Sequence, residues 1–428
     1  MRAALWFLAL FAVAVAVALF AGNNQGTVTV FWPPYRIDLS LNLVLLTLLA
    51  GFAALYVALR AISVLLEMPR QARRWRAQQR ERATHAALLD AIAHQMSGRF
   101  IRARKAAEAA LSREKTLAAS GASLGHAVQL RALSHLVAAE SAQALQNRGQ
   151  RDEHLQQALA QTASRGTLML QELREGAQLR AAHWSIEDRD AQAALGWLTG
   201  LPQGAGRRTL ALRIKLKAAR LAQQTQEALE TARLLAKHGA FSAMAAQSIV
   251  RGLASELIAG AHDPAQLERV WQMLDAGERA MPELAIQAAQ RMAALQGDHA
   301  KARAWLLPVW ERVLEQPGLL ADAQRVRLVR ALEAGLGSLD DQAARDWLAR
   351  IEAAQQRLPG DAGLQYLAGM ACMRRQLWGK AQQLLSQSTH GLQDAGLLRS
   401  AWRALAQLAE QRGDTAAAAQ AWKRAAQG

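Results

Sequence analysis

Ten histidines, one cysteine and one G-x-S-x-G pattern are the features of this 428-residue sequence that invite a search for chemistry. Two histidines serve a metal when i, i+3 or i+4 spacing puts both on one helical face. None of the ten has that spacing: His85 with His94, and His126 with His135, come nearest at nine residues, two and a half turns of helix. Cys372 beside Met373 is a soft pair, but a single thiol closes no internal bridge, and within a helical run it reads as a buried apolar group. The pattern G-A-S-L-G, Gly121 to Gly125, matches a hydrolase elbow, which needs a strand leading into a helix. Ser123 instead follows the helical stretch KTLAAS, so the glycines read as a turn between helices. There is no G-x-G-x-x-G, P-loop, H-E-x-x-H or C-x-x-C. No catalytic residue, metal ligand or cofactor site is therefore expected, and direct haem or porphyrin binding has no motif behind it.

Lys plus Arg number 51 against 35 Asp plus Glu, a formal charge of +16, which raises nucleic acid and anionic lipid as partners. The distribution separates them. Residues 1–82 carry nine Arg against three acids, and the remainder interleaves basic with acidic residues without an aromatic-spaced basic strip. Lipid is the expected partner and nucleic acid is not.

The excess sits beside two apolar runs. Ala3 to Ala21 has no polar side chain and as a helix is about 29 Å long, close to a hydrocarbon core of about 30 Å. Leu39 to Leu59 is interrupted only by Ser40, Asn42 and Thr47. Both read as membrane spans, joined by the short connection GNNQGTVTVFWPPYRIDLS on the far side. Basic residues near span ends stay in the cytoplasm. Arg2 precedes the first span and Arg60, Arg70, Arg73, Arg74 and Arg76 follow the second, so both termini are expected to be cytoplasmic. These arginines set topology and offer a surface to acidic lipid. The expected organisation is a two-span anchor over 1–62 with a periplasmic hairpin, a basic juxtamembrane segment over 63–82, and a cytoplasmic helical repeat domain over 83–428.

Beyond residue 83 the sequence is Ala, Leu, Gln and Arg in helical periodicity with brief breaks. GDHAKA (Gly297 to Ala302) and GDTAAA (Gly413 to Ala418) share G-D-x-x-x-A, and GRFIRA keeps Gly98 and Ala103. A turn followed by a small residue lets one helix fold closely onto its predecessor, which resembles the 34-residue tetratricopeptide unit. The most regular copy places Trp402, Leu405 and Ala406 on one helix and Ala418, Trp422 and Ala425 on the next; a second has Gly369 and Ala381 twelve residues apart, the spacing of Ala406 and Ala418. The nine tryptophans from Trp184 to Trp422 read as fillers between helices. The fold class expected is all-α: an N-terminal transmembrane helical hairpin followed by a tetratricopeptide-like α-solenoid. Such an array offers an extended concave surface for peptide or protein segments.

Taken in order, two close spans, the segment GTVTVFWPPYRIDLSLNL, an Arg-rich exit, the early helix GRFIRARKAAEAAL, and degenerate repeats through GDHAKARAWLLP and LWGKA resemble the HemY family of bacterial inner-membrane proteins. The resemblance implies association with late haem biosynthesis at the cytoplasmic face of the inner membrane. An unrelated flavin-dependent oxidase shares the family's name, and the dinucleotide fingerprint it needs is missing from this sequence. The implied role is a non-enzymatic scaffold for late-pathway enzymes such as ferrochelatase. A general inner-membrane adaptor for envelope assembly or membrane-protein quality control has the same architecture and is the alternative.

Overall fold

The computed structural model describes the chain except residues 1–10, 20, 21, 23, 24, 122, 123, 164–166, 317, 337–340 and 428, and except the side chains of 64–74, 341, 343 and 344. Its residues fall into two compact units, 1–174 and 175–428. In the first unit, residues 11–19 are helical (α1) and a hairpin of β1 (Thr27–Trp32) and β2 (Tyr35–Ser40) follows. The strands are antiparallel with Thr27 opposite Ser40 and Trp32 opposite Tyr35, turning through Pro33 and Pro34 across a cis peptide. The β-branched T-V-T-V run favours a pleated surface. The cross-strand partners interact: Thr29 Oγ1 donates to Asp38 Oδ1 at 2.6 Å, and the Arg36 guanidinium lies 5.6 Å from the Phe31 ring centroid.

The hairpin runs straight into α2 (Leu41–Met96), capped by the Ser40 hydroxyl, which accepts from the Leu43 N–H. At 56 residues α2 is about 84 Å long. Leu41 to Ser63 is predominantly apolar, has no buried residue and is long enough to cross a bilayer. Past the basic stretch, Thr84, Ala87, Leu88 and Ala91 become buried, a helical stripe that packs on α3 (Phe100–Ala119). The anchor-length segment, the basic segment and the first packed helix are thus one continuous helix. Then come α4 (Ala127–Ala144), α5 (Arg148–Gln161) and α6 (Leu168–Glu187), the last passing into the second unit.

The second unit continues with α7 (Ala191–Thr199), α8 (Gln203–Gly206), α9 (Thr209–Leu221), α10 (Thr225–Lys237), α11 (Ala243–Ala259), α12 (Pro264–Met273), α13 (Ala276–Arg279), α14 (Pro282–Ala294), α15 (His299–Glu315), α16 (Asp322–Gly335), α17 (Asp341–Arg357), α18 (Ala362–Arg374), α19 (Trp378–Gly391), α20 (Ala395–Gln411) and α21 (Thr415–Gln427). Helices pack on their chain neighbours, and α11, α14, α16, α18 and α20 also pack on one another in series. This is the all-α, solenoid type of fold. One apolar core runs through it from Leu212 to Leu408, with Tyr366, Leu229, Leu267 and Leu306 fully buried.

Recurring turns explain the antiparallel pairs. Gln146, Arg189, Gln223, Gln296 and Gln376 have left-handed φ of +54° to +61°, as do Gly98, Gly239 and Gly413 at +65° to +75°. After each, the next N–H bonds back to a carbonyl five residues earlier, as in Asn147 to Ala142 O (2.9 Å), Leu377 to Cys372 O (2.9 Å) and Asp414 to Ala409 O (3.0 Å). This is the Schellman end, which consumes orphan carbonyls and reverses the chain. The same residue often caps the next helix: Asn147, Asp190 and Asp414 each accept a backbone N–H with a side-chain oxygen.

Candidate functional site

The two G-D-x-x-x-A motifs use their glycines differently. Gly413 is itself the left-handed residue, whereas in the other copy Gln296 takes that role and Gly297 sits one step later, against Pro264 and the Met292 Sδ. A Cβ on Gly297 would lie 2.9 Å from the Pro264 Cβ, so the glycine there permits close approach. Gly98 is a left-handed turn residue with open space around it. The small residues after the turns, Ala103, Ala302, Ala381 and Ala418, are all buried near the start of the second helix of a pair. Gly369 lies against Leu385, where a Cβ would come 2.7 Å from Cγ and 3.1 Å from the backbone N.

In the last pair, Ala406 is fully buried, and Trp402 and Leu405 are half-buried. The Arg424 guanidinium lies 4.6 Å from the Trp402 ring centroid. Trp422 is 39% exposed; its indole N–H donates to Glu410 Oε1 at 2.7 Å, tying α21 to α20 at the surface rather than filling the core. Trp271 and Trp305 stack with centroids 4.8 Å apart, and Trp184 and Trp310 are buried.

Of the basic residues that sequence places at the membrane, Arg60 and Arg76 are exposed on α2. The side chains of Arg70, Arg73 and Arg74 lie outside the described residues, as do Arg2, Ser123 and residues 3–10, 20 and 21 of the N-terminal apolar run. Much of the remaining positive charge has an internal use. In the second unit Arg291 donates to Ala261 O through Nε and Nη2 (3.0 and 2.7 Å), Arg303 to Gly335 O (2.6 Å) and Arg312 to Ala280 O (2.9 Å). Each guanidinium serves carbonyls at the end of a helix some thirty residues away, where partial negative charge accumulates.

Folding creates one titratable pair that helical spacing could not reveal. His135 of α4 and His154 of α5 face each other with Nδ1 atoms 3.1 Å apart and rings tilted by 43°. Both are half-buried. Burial above all, then His154 and Arg131, hold His135 down at about 4; burial likewise lowers His154, against the pull of Glu108 and Glu153. Two neutral rings so placed share one N–H between them. They lie on opposite sides of the turn at Gln146, brought together by the antiparallel packing of α4 and α5. No group of three or more His, Cys, Asp or Glu stands together as a metal site among the described residues.

Cys372 is buried, its Sγ 3.9 Å from Glu352 Oε1, and burial followed by that carboxylate pushes the thiol up to about 11. Such a thiol stays protonated and unreactive at neutral pH. The fully buried Tyr366 hydroxyl lies beside Glu333 and Ser400 without a well-formed hydrogen bond, and burial raises both Tyr366 and Glu333. A cavity of about 470 Å³ opens between the ends of α16, α18 and α20, floored by Trp310, Val329 and Leu397 and rimmed by Arg325 and Asp361. Those two rim residues pair at 3.4 Å, and Asp361 also caps α18, so both charges already have structural partners.

Residues 26–146 match the family model described as HemY protein N-terminus. No curated protein matches the chain. Among solved structures, the complex of Naa15/Naa10 bound to HypK-THB is similar at 13% identity over 79% of this chain and 58% of that one, with a TM-score of 0.25. The chain thus spans little more than half the length of that relative. The TPR domain of P58(IPK) is similar at 13% identity over 77% of this chain and 99% of that one, with a TM-score of 0.22. The helical repeat and the apolar, unburied half of α2 describe a membrane-associated protein, and its segment from the hairpin to the α4–α5 turn is similar to the N-terminal part of HemY proteins.

Proposed function

We propose that this protein is a membrane-anchored, non-enzymatic scaffold of late haem biosynthesis. Two spans hold it in the bacterial inner membrane with both termini cytoplasmic. The helical repeats gather late-pathway enzymes there, with ferrochelatase as the first partner to test, and acidic lipid engages the basic stretch. Confinement beside one anchor raises the partners' effective concentration without new chemistry.

The observation that carries this reading is the continuity of α2. A 23-residue apolar stretch with no buried face passes, without a break in the helix, through Arg76, Arg80 and Arg82 into the buried Thr84, Ala87, Leu88 and Ala91. A rigid connection of that kind fixes where the first repeat stands above the lipid. The haem-pathway assignment follows from the HemY resemblance, and the scaffold role from the repeat architecture, in which the two G-D turns close helix pairs and Cys372 is a buried thiol.

The test is porphyrin and haem quantification in cells lacking the protein, complemented with the full chain or with residues 83–428. Porphyrin accumulation rescued only by the full chain is the expected result. Normal pools in a verified deletion would move the reading to a general inner-membrane adaptor for envelope assembly or membrane-protein quality control. Turnover of a porphyrin by the purified protein would overturn the non-enzymatic reading.

A further inference from the structure

Two adjoining cavities of about 560 and 460 Å³ lie across α11, α14 and α16 and share Arg251, Glu283 and Gln324. They form one groove, and its floor is stitched by side-chain amides. Ser255 Oγ donates to Gln287 Oε1 (2.6 Å) while Gln287 Nε2 donates to the Ser255 carbonyl (3.0 Å). Gln290 Nε2 donates to the Arg327 carbonyl (3.2 Å), and Gln324 Nε2 to Glu283 Oε1 (3.1 Å). These bonds hold three helices in register and set the groove's width.

Three features of the groove have no internal use. Gly252 sits in the middle of α11, exposed, and a Cβ there would meet nothing within 4 Å. A helix-interior glycine costs about 1 kcal/mol against alanine, and packing in this chain gives no reason for it. Absence of a side chain at that point lets another backbone approach the helix. Ser248, one turn earlier, and its neighbour Gln247 are exposed in the adjoining cavity, make no side-chain hydrogen bond among the described residues and offer donors and acceptors that match a peptide main chain. The exposed Arg327 guanidinium likewise has no partner among the described residues. Arg251 and Arg312 add two more cations, whereas the groove's carboxylate, Glu283, already accepts from Gln324 and pairs with Arg251 at 3.5 Å.

We propose that the groove across α11, α14 and α16 binds an extended, acidic peptide segment of a partner protein. The main chain lies over Gly252 and meets Gln247 and Ser248, and an Asp or Glu side chain reaches Arg327 with Arg251 beside it. This deepens the scaffold reading and rests on it. Charge complementarity selects acidic sequence, and amide recognition of the main chain leaves the remaining residues of the segment free to vary.

The test uses the full chain in its membrane, with photoreactive p-benzoylphenylalanine in place of Ser248 in the groove, or of the exposed Gln387 on α19 as a reference. Cross-linked peptides are sequenced by mass spectrometry. The expected result is a set of partner peptides from position 248 enriched in Asp and Glu, reduced about tenfold by Arg327→Gln and by Gly252→Leu. The second variant is the decisive one. It removes no charge and its Cβ enters open space, so its thermal unfolding midpoint is expected to stay level or rise, and a lost cross-link at an unchanged midpoint then reports occlusion of the groove. Lipid or nucleic acid captured at 248, peptides without acidic enrichment, or capture unchanged by Gly252→Leu would each overturn the proposal. Partner proteins captured from 387 with none from 248 would sink the groove and leave the scaffold reading standing; partners at neither position would sink both.

Discussion

Arg233 of α10 holds Glu278 of α13 through two parallel bonds, Nε to Oε1 at 2.8 Å and Nη2 to Oε2 at 2.5 Å, and Glu278 is only 2% exposed. The carboxylate is fully used: it also accepts from the Asp275 N–H at 3.0 Å, completing a capping box, while Arg233 reaches the Met273 carbonyl at 3.2 Å. Removing one partner strands the other. Arg233→Ala, which leaves the buried Glu278 carboxylate without its cation, is expected to lower unfolding free energy by about 3 kcal/mol, and Glu278→Ala by less because the arginine left behind is partly exposed. Denaturant titration of both single variants and the double variant checks this; additive losses would mean that the two residues do not act as a pair.

The left-handed turns give predictions of opposite sign. A non-glycine side chain in that conformation costs about 1 kcal/mol. Gln223, at φ +58°, is therefore expected to gain about 1 kcal/mol as Gln223→Gly, less a few tenths for the added freedom of the unfolded chain. Gly413, at φ +75°, is expected to lose about 1 kcal/mol as Gly413→Ala. Thermal unfolding of the two variants should move in opposite directions.

At Gly369 the constraint is space rather than φ. The Leu385 side chain and backbone N would meet an added Cβ at 2.7 and 3.1 Å, and a backbone atom cannot step aside as the end of a side chain can. Gly369→Ala is expected to destabilise by about 1–3 kcal/mol despite the better helix propensity of alanine. A variant as stable as the parent would show that α18 and α19 separate freely.

Sequence periodicity was sufficient for the helices, and the G-D turns and the spacing of Gly369 and Ala381 pointed to where pairs close. Three things were not legible, for physical reasons. Gln146, Gln223 and Gln376 turn the chain exactly as a glycine would at that position in the Schellman end, yet glutamine carries no left-handed propensity that a sequence reader could use. The hairpin between the apolar runs is legible in the sequence but its strand pairing is not, because the register of Thr27–Trp32 against Tyr35–Ser40 is set across the turn. The His135–His154 pair depends on the antiparallel docking of α4 and α5, a relation between helices and not within one. Trp422 illustrates the converse: spacing put it at a packing position, but the indole N–H found Glu410 and left the ring partly in water.

The histidine pair makes stability depend on pH. His135 titrates at about 4 in the folded chain and near 6.5 when unfolded, so between those values the unfolded state binds more protons. The stabilisation is fully present above about pH 6.5 and is lost as pH falls towards 4. After discounting for a half-exposed, solvent-screened site, the loss from pH 7 to pH 5 is expected to be about 1 kcal/mol. His135→Gln should flatten that part of the profile, measured as unfolding free energy across pH 4–8. An equally steep profile in the variant would assign the dependence to other groups.

Cys372 provides a probe of the second unit's integrity. Its thiol is buried in α18 with Glu352 beside it, and both burial and that charge oppose ionisation up to about 11. At pH 8 only about one thiol in a thousand is then ionised, against roughly a quarter for a free cysteine. Labelling of the native chain by a maleimide at pH 8 is therefore expected to be slower than that of the denatured chain by at least about a hundredfold, with solvent exclusion adding to the ionisation effect. Because α18 packs against α16, α17, α19 and α20, any variant that loosens those contacts should speed the reaction before global unfolding is seen. Gly369→Ala, three residues away on the same helix, is the variant expected to do so. Rapid labelling of the unmodified native chain would contradict the burial of Cys372 and the packing of α18 with it.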